Sequence, residues 1–360
     1  MNRSLVFITV ILLLGFMACS GLEYALLSHF HRPGTGGLFS WLTTFIPAFE
    51  ARAGLLKPDE ILEYTAQIKW RWVALVVFFA YLLLGSKPLE HQEIPEKSAS
   101  WLVRLFFVIP ILYLPDLSQE LSARSAWQMF YEPLPQFQWL VPVFPSGFVI
   151  QWVVLVLFAV GALLAVARFK AGSPLYLAAA VTTFLGWTYL LSVLFGFGKI
   201  DHTYASMFSA MAGMAIFTAL WHFYPPYSQL GFRIFQVFIW GCYGFAGLEK
   251  LFLSGFDFLD TSTFAHICGQ HPTEVCSWLA GHPVFACLFM AGGLCFQLSA
   301  FLLWRWPRWA FLFVPAGIVF HLGTWLVLGI GGWQSPWIPM LFFLWPMANT
   351  SKAEVKMPSA

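Results

Sequence analysis

Three side chains in this sequence have chemistry unusual for their surroundings: Lys250, His202 and His321. Lys250 ends the apolar stretch RIFQVFIWGCYGFAGLEKLFLSG, residues 233–255, with Glu249 beside it. An ionisable residue inside a membrane-spanning helix costs about 2.5–3.5 kcal/mol on insertion scales, so it usually faces protein, a wet cavity or a partner. A lysine near a helix end also has a plainer use, snorkelling to the headgroups as an anchor. On a 3.6-residue period Tyr243, Gly247 and Lys250 share one stripe, with Gln236 further back. Gly241, Gly244, Ala246 and Gly247 thin one flank and admit close neighbours. His202 stands in GKIDHTYASM and His321 in GIVFHLGTW. A lone buried histidine is most often a satisfied core residue, whereas a lysine with two histidines can form an acid–base set.

The six cysteines carry no metal signature. Cys19, Cys242, Cys287 and Cys295 fall in apolar segments as small filler. Cys268 and Cys276 stand in the polar stretch HICGQHPTEVC, where a loop-closing disulfide is expected. A zinc site there would need further ligands, for which His266 and His271 are the nearby choices, and no metal is expected.

The elements that must position these residues are membrane helices. The chain of 360 residues is 59% hydrophobic and only 10% charged, against about 25% charged in soluble domains. Its formal charge of +2 excludes an electrostatic nucleic-acid partner, and 18 Trp and 39 Phe supply interfacial belts. The expected fold is an all-α polytopic transmembrane helical bundle of about ten crossings, whose lipid contacts are the first partner. The N-terminal run resembles a signal peptide, with a weak lipoprotein box before Cys19, but it continues into a retained first span at Leu5–Leu27. An interfacial segment follows at Arg32–Tyr64. Further spans are expected at Trp72–Gly85, Trp101–Leu117, Val149–Val166, Leu175–Leu194, Tyr204–Trp221, Arg233–Gly255, Phe285–Trp304 and Trp309–Leu328. The third is interrupted by Arg104 and Pro110 and followed by a long proline-rich connection; Ile338–Met347 is a short last crossing.

One domain over residues 1–348 and a polar tail over 349–360 result. Arg3, Lys87, Lys97, Arg168, Lys170, Arg305, Arg308, Lys352 and Lys356 fall on one side, which the bias of short loops makes cytoplasmic. Both termini are then cytoplasmic in a multi-pass protein, expected in a bacterial inner membrane. Lys250 and the Cys268/Cys276 stretch face outward, where a disulfide persists.

The segments GKIDHTY, AGLEKL, FQLSAFLLW with RWPR, and GIVFHLG run in order over about residues 195–345. Together they resemble landmarks of the vitamin K-dependent gamma-carboxylase-like, or HTTM, membrane domain. The resemblance implies a membrane enzyme in which Lys250 is the base that deprotonates reduced vitamin K. It implies catalytic roles for His202 and His321 as well, and a reduced quinone as cofactor. Tyr243, Gly247 and Phe245 are the expected quinone contacts. A free lysine, with a pKa of about 10.4, is a poor base, and apolar surroundings favour its neutral amine. That amine takes a proton from a quinol hydroxyl, and a histidine hydrogen-bonds the oxyanion. Two departures stand out: Glu249 replaces the first of the family's two lysines, and Asp201 replaces the Asn before its histidine. The carboxylases continue into a large lumenal region that grips a protein substrate, whereas this chain stops soon after its last span. A small peptide or small molecule is therefore the expected substrate. The competing class is a non-enzymatic polytopic protein, such as a transporter, immunity factor or assembly partner, on the same scaffold.

Overall fold

Hydrocarbon offers no partner to a backbone amide, so an apolar chain must close its hydrogen bonds within its own segments. Every regular element in the described residues is accordingly helical. The computed structural model describes residues 96–133, 137–166, 172–197, 202–270, 273–330 and 337–348, with short helical stretches within 14–24 and 62–77. The chain divides into two compact units, Met1–Ser86 with Leu248–Gly255, and Lys87–Gly247 with Phe256–Ala360. Within the first unit, Glu23 forms an ion pair with Lys69 and accepts a hydrogen bond from Thr65 Oγ1 at 3.3 Å. The Lys69 ammonium also lies 5.9 Å from the Phe16 ring centre. The expected spans at Leu5–Leu27 and Trp72–Gly85 lie mostly outside the described residues, as does the interfacial segment; the polar tail lies wholly outside them.

The second unit holds the helices α1 (Glu96–Arg124), α2 (Gly147–Val166), α3 (Pro174–Phe195) and α4 (His202–Phe223). They are followed by α5 (Ser228–Ser254, whose last turns belong to the first unit), α6 (Thr261–Gln270) and α7 (Glu274–Ala280). The series ends with α8 (Pro283–Ser299), α9 (Leu302–Arg305), α10 (Ala310–Leu328) and α11 (Trp337–Leu341), the last running into a 3-10 turn at Phe342–Ala348. Six helical stretches in the described residues are long and apolar enough to cross a membrane: Ser100–Phe130, Gly147–Leu164, Pro174–Phe195, Ser206–Phe223, Pro283–Arg305 and Pro307–Leu328. Among the described residues the structure supports a membrane protein through these six; the expected count of about ten also draws on stretches that lie outside them. α5 has 27 residues, about 40 Å at 1.5 Å per residue, but Arg233, Gln236, Glu249 and Lys250 leave it less apolar.

Three expectations change. The third span does not break at Pro110 but runs as one 29-residue helix through both Pro110 and Pro115. Packing decides this: Phe106, Phe107, Leu114, Leu117 and Leu121 are all buried, and the Arg104 guanidinium lies against Trp101 at 5.5 Å. The stretch around Cys268 and Cys276 is not a loop but the two short helices α6 and α7. The last crossing, expected at Ile338–Met347, is a five-residue helix and a seven-residue 3-10 turn, about 20 Å of rise against a hydrocarbon core of about 30 Å. It is instead a wedge in the core, with Met340, Leu341, Phe343 and Leu344 all buried.

That wedge explains how the unit closes. Phe343 meets Phe106 of α1 and Phe235 of α5 edge-on, with ring centres 5.9 and 5.5 Å away, and those two rings meet each other at 5.3 Å. Gln236 is a polar group buried in the same place, and its amide donates to the Phe343 carbonyl at 2.8 Å. Such a bond offsets most of the cost of burying the amide and fixes the wedge in register.

Candidate functional site

α5 puts Tyr243 on the flank that its small residues open. The ring is buried, edge-on to Phe296 of α8 at 5.4 Å and to Phe313 of α10 at 5.7 Å. Its hydroxyl needs a partner, since an unpaired phenol in apolar surroundings costs a few kcal/mol, about 1–3 in protein series. His321 of α10 provides one: Tyr243 Oη and His321 Nε2 are 2.8 Å apart. Two proton arrangements satisfy the contact. With Nδ1 protonated, the phenol donates to Nε2; with Nε2 protonated, the ring donates to the phenol oxygen.

Trp337, at the start of α11, completes the group. Its ring lies 4.7 Å from that of Tyr243 and is within 16° of parallel to that of His321, at 6.1 Å. Phe320 flanks His321 edge-on at 5.2 Å and lies against Phe296 at 4.9 Å. The result is one hydrogen-bonded polar pair walled by aromatic rings from α8, α10 and α11. In low-dielectric surroundings this bond is stronger than the same bond in water, and either member left alone would be costly.

Two of the expected site residues, Tyr243 and His321, are therefore in direct contact across 78 residues of sequence. Gly247 lies on the same unit's α8 side, where an added Cβ would come within 3.1 Å of Gln297 and Leu298, so it serves as a close-packing point. Phe245 takes another direction, with its ring edge-on to Phe301 at 6.4 Å. His202 opens α4, and its side chain lies outside the described residues. Lys250 is half-buried in the last turns of α5 and belongs to the first unit. Trp337, Phe296 and Phe313 escape the sequence reading, because in a chain with 18 Trp and 39 Phe no single aromatic stands out.

Cys268 and Cys276 are joined in a disulfide with their Cα atoms 5.6 Å apart. His266 is bonded to Gln270 at 3.1 Å on the exposed side of α6, and His271 lies outside the described residues. Among the described residues, no three His, Cys, Asp or Glu side chains are grouped so as to hold a metal ion. No family model, curated protein or solved structure matches this chain.

Proposed function

We propose that this chain is an integral membrane enzyme working on a reduced quinone, with the Tyr243–His321 pair as its hydrogen-bonding centre; Lys250 keeps the part of a base that the resemblance implies. The observation that carries the reading is the pair itself, a 2.8 Å polar contact enclosed by aromatic rings inside membrane helices. An apolar ring with hydroxyl groups fits that donor set, since aromatic walls accept its faces and edges and the pair meets its polar atoms. A bound reduced quinone would supply a hydroxyl that can lose a proton and a ring that can lose electrons.

The residues' own tasks follow. The aromatic walls keep water out and strengthen each polar contact within them. Tyr243 Oη fills the single hydrogen-bonding site of His321 Nε2, so a ligand hydroxyl would meet the pair at Oη: with the ring as donor the phenol O–H is left to donate, and with the phenol as donor a lone pair on Oη is left to accept. The resemblance gives Lys250 the part of a base, which accepts a proton at Nζ. In the same proposal the protein lies in a bacterial inner membrane with both termini cytoplasmic, as the Lys/Arg distribution suggests, and acts on a small peptide or small molecule.

The test is oxygen-dependent quinol oxidation by the purified protein in air-equilibrated lipid nanodiscs, with two electrons and two protons passing from the quinol to O2, followed by absorbance. Wild type turns over, Lys250→Ala and His321→Ala are silent, and Tyr243→Phe loses about tenfold to a thousandfold, the range for a positioned acid–base or hydrogen-bonding group. A wild-type protein without turnover, or a Lys250→Ala variant at wild-type rate, sinks the proposal. The second reading is a non-enzymatic membrane protein, and one observation favours it: the bond satisfies both side chains without any ligand. In that case Tyr243→Phe lowers the melting temperature, while added quinone shifts it in neither protein.

A further inference from the structure

The connection between α1 and α2 presents its apolar side chains outward. Trp127, Met129 and Phe130 of the 3-10 turn Ser125–Phe130 are 60%, 77% and 64% exposed, and no residue of that turn is buried. Trp139 and Val143 are exposed further along the same connection. The segment is nonetheless firmly held from its inner side. Tyr131 donates from Oη to the Val141 carbonyl at 3.0 Å. The rings of Tyr131, Phe144 and Phe197 form a triangle with centres 5.6 to 5.7 Å apart. The Glu132 amide donates to the Gly196 carbonyl at the end of α3 at 2.7 Å. A well-anchored segment with an apolar outer face needs something to cover that face.

Helix length says where the face lies. α1 has 29 residues and is about 43 Å long at 1.5 Å per residue, against about 40–45 Å for a bilayer including its headgroup layers. Its last turns are polar, with Asp116, Gln119, Glu120 and Arg124, and Glu120 pairs with Arg124 at 2.7 Å. α1 therefore emerges through the headgroups just before Trp127. The chain then returns to Gly147, where Phe148 and Trp152 stand exposed on α2, the helix of the six with the smallest buried share. Trp139, Val143, Phe148 and Trp152 make the outward face of the connection continuous in sequence with the lipid-facing flank of a span. Between residues 125 and 148 the sole charged residue is Glu132, so attraction to anionic lipid has no part in covering the face.

We propose that residues 125–133 and 137–148 are an interfacial element, with Trp127, Met129, Phe130 and Trp139 seated at the headgroup–acyl boundary of one leaflet. Zwitterionic lipid is a sufficient partner. Trp and Phe favour that depth because an apolar body and, for Trp, one N–H suit the two sides of the boundary. The experiment is hydroxyl-radical footprinting, read by mass spectrometry, of the full chain in phosphatidylcholine nanodiscs holding one copy each. The isolated peptide 125–148 in buffer is the reference. Met129 and Trp127 in the disc should oxidise about tenfold or more slowly than in the peptide, with the same protection when a third of the lipid is anionic. A headgroup-borne photoreactive lipid should label the segment in the same discs. Oxidation within about fivefold of the free peptide, or labelling of Phe148–Trp152 without any of Trp127–Trp139, overturns the proposal.

Discussion

Two connections between membrane helices at one end of the second unit handle apolar residues in opposite ways. α1 and α3 both end beside Tyr131, and α4 ends beside the start of α3, where His222 meets the Gly172 carbonyl. α5 runs antiparallel to α4, with Gly231 against Phe217 and Gly213 against Phe235, so the residues after α5 emerge at the Tyr131 end. The α6–α7 hairpin turns inward: Phe264, Cys268, Cys276 and Leu279 form a small core with Ala286 and Met290 of α8 and Val327 of α10. Thr273 fastens it, accepting from the Cys276 amide at 2.9 Å and donating to the Val327 carbonyl. The 125–146 connection keeps Tyr131, Val141 and Phe144 inside and turns Trp127, Met129, Phe130 and Trp139 outward. The hairpin is held by a core it shares with α8 and α10 and by a covalent link, with Trp278 as its large exposed apolar side chain; the other connection turns those four large side chains outward and depends on the bilayer. Their stabilities should therefore respond differently to mutation.

The largest expected contrast is between two aromatic truncations. Phe264 is 1% exposed and edge-on to Phe289 at 5.9 Å, so Phe264→Ala should cost about 3–5 kcal/mol of hairpin stability. Trp127→Ala in detergent removes an exposed ring and should change stability by no more than about 0.5 kcal/mol. Chemical denaturation of the purified variants, with protease resistance of residues 256–282 as the local readout, decides it. Equal losses would erase the distinction between the two regions.

The difference between the regions was only partly legible in the sequence. α2, α3, α4, α8 and α10 lie within a few residues of their apolar runs, because an unbroken run of that length in hydrocarbon has one way to satisfy its backbone. α1 was harder, since Pro110 and the polar turns after Pro115 read as stops. Its continuing seam, Leu114, Leu117 and Leu121 at helical spacing, is the signal that carries the helix on. The hairpin read as a loop because HICGQHPTEVC holds five polar side chains, Gly269 and Pro272 against four apolar side chains, although Phe264/Cys268 and Cys276/Leu279 fall at i,i+4 and i,i+3. Tyr243 and His321 were visible as polar residues in apolar runs. Their contact was not, because spacing along a helix does not fix the rotation of α5 against α10.

The second expected effect concerns the disulfide. Linking residues eight apart restricts the unfolded chain, and its removal by Cys268→Ala with Cys276→Ala should lower hairpin stability by about 2–3 kcal/mol. Both cysteines are buried, so the double alanine variant also opens a small space beneath α6 and α7. The 125–146 connection carries no such link, and its protease resistance should stay unchanged in the same protein. A variant in which both regions loosen together would show that the hairpin's core is not independent of the rest of that end.

The smallest effect is a pH response confined to the hairpin. Asp260 caps α6: its Oδ1 accepts from the Ser262 amide at 2.6 Å, and its carbonyl accepts from the Phe264 amide. Those hydrogen bonds from Ser262 favour the carboxylate and hold its pKa below the ordinary 3.8. Because the folded value is depressed, the cap's contribution is full above the unfolded value and is lost as pH falls through the folded one. Acidification from about pH 5 to pH 3 should thus speed amide exchange in the first turn of α6, beyond the intrinsic change in exchange rate. Asp260→Asn keeps a capping oxygen but cannot titrate, so it should show no such acid-dependent excess. Glu132, in the other connection, provides the comparison, since its amide is bonded to the Gly196 carbonyl rather than to a carboxylate. Exchange at Glu132 should follow the intrinsic rate alone over the same range. An acid-dependent excess in Asp260→Asn equal to that of wild type would remove Asp260 as the titrating cap and leave the hairpin's first turn held by its core alone.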